Sequence, residues 1–156
     1  MSHTFRVVTK SLFRLLALMV LALPALVWAG LPHTPKSISG VTVITAEKAR
    51  SMVEKGVLIV DARVANEYVE EHITGARNIP YKEKSAKSAD FDARQDSFDL
   101  SKLPANKRTP VIFYCNGNEC WKSYKSCVTA VRAGYQSVYW LRGGIPEWKA
   151  KGYAVE

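Results

Sequence analysis

Val111-Ile112-Phe113-Tyr114-Cys115-Asn116-Gly117-Asn118-Glu119-Cys120-Trp121-Lys122-Ser123 passes from an unbroken apolar run, through a short polar loop, into a segment with helical spacing. The apolar run reads as a buried strand. Cys115 stands where that strand stops and where backbone N–H groups of a loop and a helix start converge. Such a place favours anions and thiolate, which makes a cysteine nucleophilic. A buried strand-end cysteine with only a packing role satisfies this stretch equally well, so neighbouring segments must decide.

Outward from this stretch, strands and helices alternate. Val41-Thr42-Val43 is a short strand, and Thr45 is placed to cap a helix whose face is Ala46, Ala49, Met52 and Val53, ended by Gly56. Val57-Leu58-Ile59-Val60 is a second buried strand that runs into Asp61-Ala62-Arg63. Ala65, Tyr68 and Val69 mark a short helix, and Ala76 to Pro80 returns to the core. Lys82 to Asp99 is rich in Lys, Asp, Ser and Ala, with Phe91 and Phe98 as its anchors, and predicts a partly helical surface excursion. Trp121, Tyr124, Cys127, Val128 and Val131 form one helical stripe ended by Gly134. Val138 to Leu141 is a further strand, and Gly143-Gly144 precedes a last helix carrying Trp148. This alternation predicts a single α/β domain with a mostly parallel sheet covered by helices on both faces.

In open α/β sheets, sites form beyond the carboxyl ends of the strands. Asp61 with Arg63, Cys115, and Arg142-Gly143-Gly144 all follow such ends. Singly, each has an ordinary explanation: a loop salt bridge, a packed thiol, a tight turn. Together they place a nucleophile, two arginines and a glycine turn on one edge.

The N-terminus carries Arg6, Lys10 and Arg14, an apolar run from Leu15 to Trp28 broken by Pro24, and small residues in Val27-Trp28-Ala29. This is the pattern of a secretory signal, with cleavage expected after Ala29. The run is short for a membrane span of about 20 residues, so no stable membrane anchor is expected after cleavage. Removing residues 1–29 of 156 leaves 127, enough for one domain with its own core. Residues 30–40, with two prolines, Ser and Gly, read as a flexible lead-in, and 41–156 as the domain. Taking the three basic residues of the signal from a net charge of +8 leaves +5, mixed with acids throughout. No Lys/Arg stripe interleaved with aromatics is present, which argues against nucleic acid. Three cysteines are an odd count, so at least one thiol is free or pairs elsewhere, and so few in so long a chain are not a disulfide scaffold.

Four segments, in order, resemble the rhodanese (sulfurtransferase) family: Asp61-Ala62-Arg63 with Glu67-Tyr68; His72-Ile73-Thr74-Gly75-Ala76-Arg77-Asn78-Ile79-Pro80; Tyr114-Cys115; and Leu141-Arg142-Gly143-Gly144-Ile145 with Trp148. The resemblance covers roughly Val41 to Val155. It implies a doubly wound α/β domain in which Cys115 takes a sulfane sulfur from a donor such as thiosulfate, forms a persulfide, and passes the sulfur to a thiophilic acceptor. It implies Asn116, Gly117, Asn118, Glu119 and Cys120 as the active loop, and Asp61, Arg63, Trp121 and Arg142 as substrate-binding or supporting residues. The route calls for no cofactor and no metal. Its partners would be a small sulfur-containing anion or thiol and a periplasmic redox protein.

The loop departs from the family's usual C-x-x-G-x-R-S or C-x-x-G-x-T/S. The glycine comes one position early, and Cys120 is the fifth residue after Cys115. Trp121 stands where a phosphatase of the same fold class carries the arginine of its C-x5-R loop, so nothing clamps a phosphoryl group. The Cys-x4-Cys-Trp loop is similar to that of exported rhodanese-like proteins, some associated with periplasmic oxidation pathways. Three functions stay open: a periplasmic sulfurtransferase, a thiol–disulfide or persulfide redox protein pairing Cys115 with Cys120, and a catalytically weak binding module. Cys127 is a poor partner for Cys120, since seven helical residues carry it about 10 Å along the axis, past the roughly 7 Å Cα limit for a disulfide. Its place on the apolar stripe makes it a core residue. His3, His33 and His72 are scattered and suggest no zinc site. Lys122, Lys125 and Arg142 are positioned to draw anions to the loop, though Lys125 fits a solvated helix face better.

Overall fold

The computed structural model describes residues 33–156, so the expected signal sequence lies outside the described residues. Five parallel strands form one sheet in the order β1-β5-β4-β2-β3: β1 (Val41–Ile44), β2 (Leu58–Asp61), β3 (Arg77–Asn78), β4 (Val111–Tyr114) and β5 (Val138–Leu141). All four residues of central β4 are buried, as an apolar run covered on both faces requires. Side chains alternate between faces. Val111 and Phe113 join Val60 and Trp140 in one core, while Ile112 and Tyr114 join Ile59 and Leu141 in the other.

Among the described residues, four α-helices cover these faces: α1 (Ala46–Val53), α2 (Ala65–Glu70), α3 (Trp121–Arg132) and α4 (Gly144–Ala150). Thr45 caps α1 through its side chain, which accepts from the Lys48 N–H at 3.4 Å. Ala46, Ala49 and Met52 of α1 pack with Ile145 and Trp148 of α4, and Tyr124, Cys127 and Ala130 of α3 pack in the opposite core. Cys127 is fully buried with a free thiol, and burial pushes that thiol up well above its ordinary pKa. The expected α/β architecture is therefore present in detail. The short helix marked by Ala65, Tyr68 and Val69 is present as α2, with Val69 78% exposed on its outer face.

The 82–99 excursion is more firmly held than its polar composition implies. Its base is closed by a backbone pair, Lys82 N–H to Ser97 O at 2.9 Å and Ser97 N–H to Lys82 O at 3.0 Å. Its regular structure is one 3-10 turn, Ala93–Gln95, and Phe91 is buried in the α3 core. Lys125 corrects the reading of a solvated helix face. Its side chain is 0% exposed and donates to Ser85 Oγ at 2.8 Å and Ser85 O at 3.1 Å, with Glu83 and Asp96 carboxylates at 3.5 and 3.7 Å. Burial acts to raise the pKa of Asp96, but hydrogen bonds from Ser85, Lys84 and Tyr81 outweigh it and hold the carboxyl at about 2. A lysine inside this ring of acceptors pins the excursion onto α3, because an ammonium without partners is far too costly to bury.

Candidate active site

The sheet register sets the site. Asp61, Tyr114, Leu141 and Ile44 end four adjacent strands at one level. Residues immediately beyond these ends therefore share one edge, which brings Cys115 between the Asp61–Arg63 turn and Arg142. Cys115 is 0% exposed. It forms a disulfide with Cys120, the residue that precedes α3, and their Cα atoms are 6.3 Å apart. The redox reading required Cys120 to reach Cys115, and it does.

Ser123, in the first turn of α3, is 1% exposed with its Oγ 3.2 Å from Cys115 Sγ. A disulfide sulfur carries no proton, so the hydroxyl is the donor. Its own oxygen accepts from the indole Nε1 of buried Trp140 at 3.0 Å. The indole N–H thus occupies the acceptor side of the hydroxyl and turns its proton toward sulfur. This relay escaped sequence reasoning. Ser123 closed the quoted stretch, but no local pattern shows that its hydroxyl meets the Cys115 sulfur or accepts from Trp140 of β5.

The two arginines brace the loop from opposite sides. Arg63 is held by buried Asp61, donating from Nε at 3.0 Å to each oxygen and from Nη2 at 2.7 Å to Oδ2. It also donates to Glu71 O at 2.6 Å and, from Nη1, to Asn116 Oδ1 at 3.4 Å. Burial disfavours the charged guanidinium, but the Asp61 carboxylate more than offsets this and raises the Arg63 pKa. Asn116 also donates to Glu67 Oε1. The turn carrying Arg63 is fastened in turn by Asn78, which donates to Asp61 O at 3.1 Å and Arg63 O at 3.0 Å. That contact gives a physical task to the Asn of the His72–Pro80 segment. His72 belongs to the opposite end of that segment, stacked on Tyr68 at 3.7 Å between ring centroids.

Arg142 donates to Asn118 Oδ1 at 3.0 Å, to Thr34 O at 2.7 Å and to Pro35 O at 3.0 Å. These three bonds to protein acceptors make it a support of the loop. Thr34 is 2% exposed, and both its N–H and its hydroxyl donate to Asn118 O, at 2.9 and 2.7 Å. Part of the 30–40 stretch is therefore a strap against the active loop, in place of the flexible lead-in expected from its prolines. Prolines and glycines signal the lack of regular structure; they do not exclude side-chain anchoring.

Two glycines allow the loops to meet. Gly144 has φ +63°, and a Cβ there would lie 2.1 Å from Cys115 O. The close approach lets the Ile145 N–H donate to that same oxygen at 3.0 Å. Gly117 has φ +111° and faces Gly143 O. Trp121 begins α3, is 4% exposed, and meets Tyr124 edge-on at 5.1 Å. Glu119 is exposed, with His33 Nε2 3.6 Å from its carboxylate. A cleft of about 270 Å³ opens beside Cys120, lined among others by Glu83, Lys87, Glu119, Trp121 and Lys122. The excursion thus forms one of its walls. Among the described residues, no three His, Cys, Asp or Glu side chains converge as metal ligands would.

The profile of the family described as "Rhodanese-like domain" matches residues 45–151. The uncharacterized protein YqhL of Bacillus subtilis is 32% identical over 108 residues, covering 69% of this chain and 72% of that protein. The thiosulfate sulfurtransferase GlpE of Pseudomonas aeruginosa is 31% identical over 108 residues, covering 69% of this chain and 83% of that one. Among solved structures, the BH2092 protein of Bacillus halodurans superposes with a TM-score of 0.55 at 25% identity, over 74% of this chain and 76% of that one. With a parallel α/β sheet, a cysteine at the end of its central strand and a profile match over most of its length, the chain belongs to the rhodanese-like domain family.

Proposed function

We propose that this chain is a rhodanese-type sulfurtransferase acting through a persulfide on Cys115. The observation that carries the reading is the Ser123 hydroxyl at 3.2 Å from a fully buried Cys115 Sγ at the carboxyl end of β4. Similarity to GlpE, named a thiosulfate sulfurtransferase, supports thiosulfate as the class of donor. In the reduced protein the Cys115 thiolate attacks the sulfane sulfur. A sulfur–sulfur bond forms to Cys115, the bond within thiosulfate breaks, and sulfite leaves with the electron pair. Cyanide or a thiol then removes the outer sulfur and returns the thiolate. The Ser123 proton stabilises negative charge on Cys115 at the start and at the end of this cycle.

The disulfide blocks the first step, so conversion of thiosulfate and cyanide to thiocyanate should require prior reduction of the protein. Absence of thiocyanate from fully reduced protein would sink the proposal. Ser123→Ala tests the relay separately. A hydrogen bond to a charged acceptor contributes about 1.5–3 kcal/mol, so the variant should be at least roughly tenfold slower at neutral pH. The deficit should shrink as alkaline pH supplies thiolate without help. A deficit that is constant with pH would assign Ser123 to packing alone.

The site of action we propose is the periplasm, with the chain exported by residues 1–29, cut after Ala29, and placed among exported rhodanese-like proteins with a Cys-x4-Cys-Trp loop. The basic residues, apolar run and Val27-Trp28-Ala29 support this reading. N-terminal sequencing of the mature protein should begin at Gly30; protein that starts at Met1 and stays with membranes would refute it.

A further inference from the structure

A sulfurtransferase needs one cysteine in its loop, and this loop has two within bonding distance. We propose that Cys120 resolves the Cys115 persulfide, making the protein a dithiol-driven reductase that releases sulfane sulfur as hydrosulfide. This rests on the reading of Cys115 as the persulfide carrier.

Three observations support the step. First, the two sulfurs are bonded across a Cα separation of 6.3 Å, inside the range of about 4.4–6.8 Å that disulfides span, so Cys120 reaches Cys115 Sγ within this fold. Second, Cys120 directly precedes α3, where the helix N-terminus favours thiolate. Third, Cys120 is half-buried and lines the open cleft, whereas Cys115 is 0% exposed. The outer thiol is thus the one that meets incoming thiols. Cys127 offers no alternative, being fully buried in the α3 core with its thiol pKa raised by burial.

The chemistry balances without a cofactor. After sulfite has left, the Cys120 thiolate attacks Cys115 Sγ. A Cys115–Cys120 bond forms and the bond to the sulfane sulfur breaks. That sulfur departs with the electron pair, takes the proton given up by Cys120, and leaves as hydrosulfide. A dithiol reductant then attacks the accessible Cys120 sulfur, displacing Cys115 as a thiolate against the Ser123 hydroxyl. Its second thiol closes the mixed disulfide, freeing Cys120. Over the cycle, thiosulfate and the dithiol become sulfite, hydrosulfide and the oxidised reductant, with one proton released. The disulfide form seen here is then the product of each turnover. The reductant is of the dithiol class and meets Cys120 at the cleft between the 82–99 excursion and the start of α3.

The test is a single turnover. Protein reduced with dithiothreitol, freed of it and kept under argon is mixed with one equivalent of thiosulfate without cyanide, and sulfite, sulfide and intact mass are read. The parent should release sulfite and sulfide in equal amounts and lose the mass of two hydrogens. Cys120→Ser should release sulfite only and gain the mass of one sulfur atom; Cys120→Ala provides the same reading with a different side chain. Parent protein that gives sulfite and keeps the sulfur mass, with no sulfide, overturns this inference and leaves the transferase reading standing. Absence of sulfite from the reduced parent overturns both. In the oxidised parent, a stoichiometric monothiol should leave a mixed disulfide that peptide mapping places on Cys120. Mapping to Cys115 overturns the order of attack.

Discussion

Cys115→Ser is expected to abolish thiocyanate formation while leaving the fold in place. The side chain is fully buried at the end of β4, so the replacement must be nearly the size of the thiol, and serine is. An alcohol is hardly ionised at neutral pH and no histidine lies in the loop to take its proton, so the nucleophile is lost outright. The control matters because the parent carries a disulfide. Closing so short a loop contributes about 2 kcal/mol through the unfolded chain, and the variant lacks it. Stability must therefore be compared with the reduced parent, where the two should agree within about 1 kcal/mol. Thiocyanate formation by the variant at the parent's rate would remove Cys115 from the chemistry.

The fold was legible because its signals are periodic and local. The apolar run at Val111–Tyr114, the 3.6-residue stripe of α3 and the glycines between elements each predict one element, and the alternation of elements predicts a parallel sheet. The edge that gathers Asp61, Arg63, Cys115 and Arg142 follows from strand direction alone. What escaped is long-range and side-chain specific. Lys125 looks like any polar residue on a helix until the excursion folds over it and supplies Ser85, Glu83 and Asp96 from 40, 42 and 29 positions away. Thr34 lies in a stretch whose prolines read as a tether, yet it is tied to Asn118, 84 positions on. Arg142 illustrates the same limit. Its charge suggests an anion, while its actual acceptors are two carbonyls of that strap and a loop amide.

The buried pair at the end of β2 should show the largest cost to stability. Asp61 is 0% exposed and accepts three bonds from the Arg63 guanidinium, one from the Arg63 N–H at 2.8 Å and one from the Tyr114 hydroxyl at 2.7 Å. The phenol is itself held in place by the Ile73 N–H, which donates to it at 3.1 Å, and burial, with Asp61 nearby, pushes its pKa far up. Asp61→Ala leaves a guanidinium in the interior with Glu71 O and Asn116 as its remaining partners and leaves the phenol without its acceptor. Removing one member of a buried ion pair typically costs about 3–5 kcal/mol, and the orphaned hydroxyl puts this case toward the upper end. Urea unfolding of the reduced proteins should show the midpoint falling accordingly. Asp61→Asn keeps an acceptor for Tyr114 while removing the charge, so it should fall between the parent and Asp61→Ala. An alanine variant within about 1 kcal/mol of the parent would mean the pair contributes no more than a surface salt bridge. Because Arg63 also reaches Asn116, that variant should in addition lower turnover at temperatures where it remains folded. The brace beside Cys115 is built from the same charge pair that holds the edge of the sheet together.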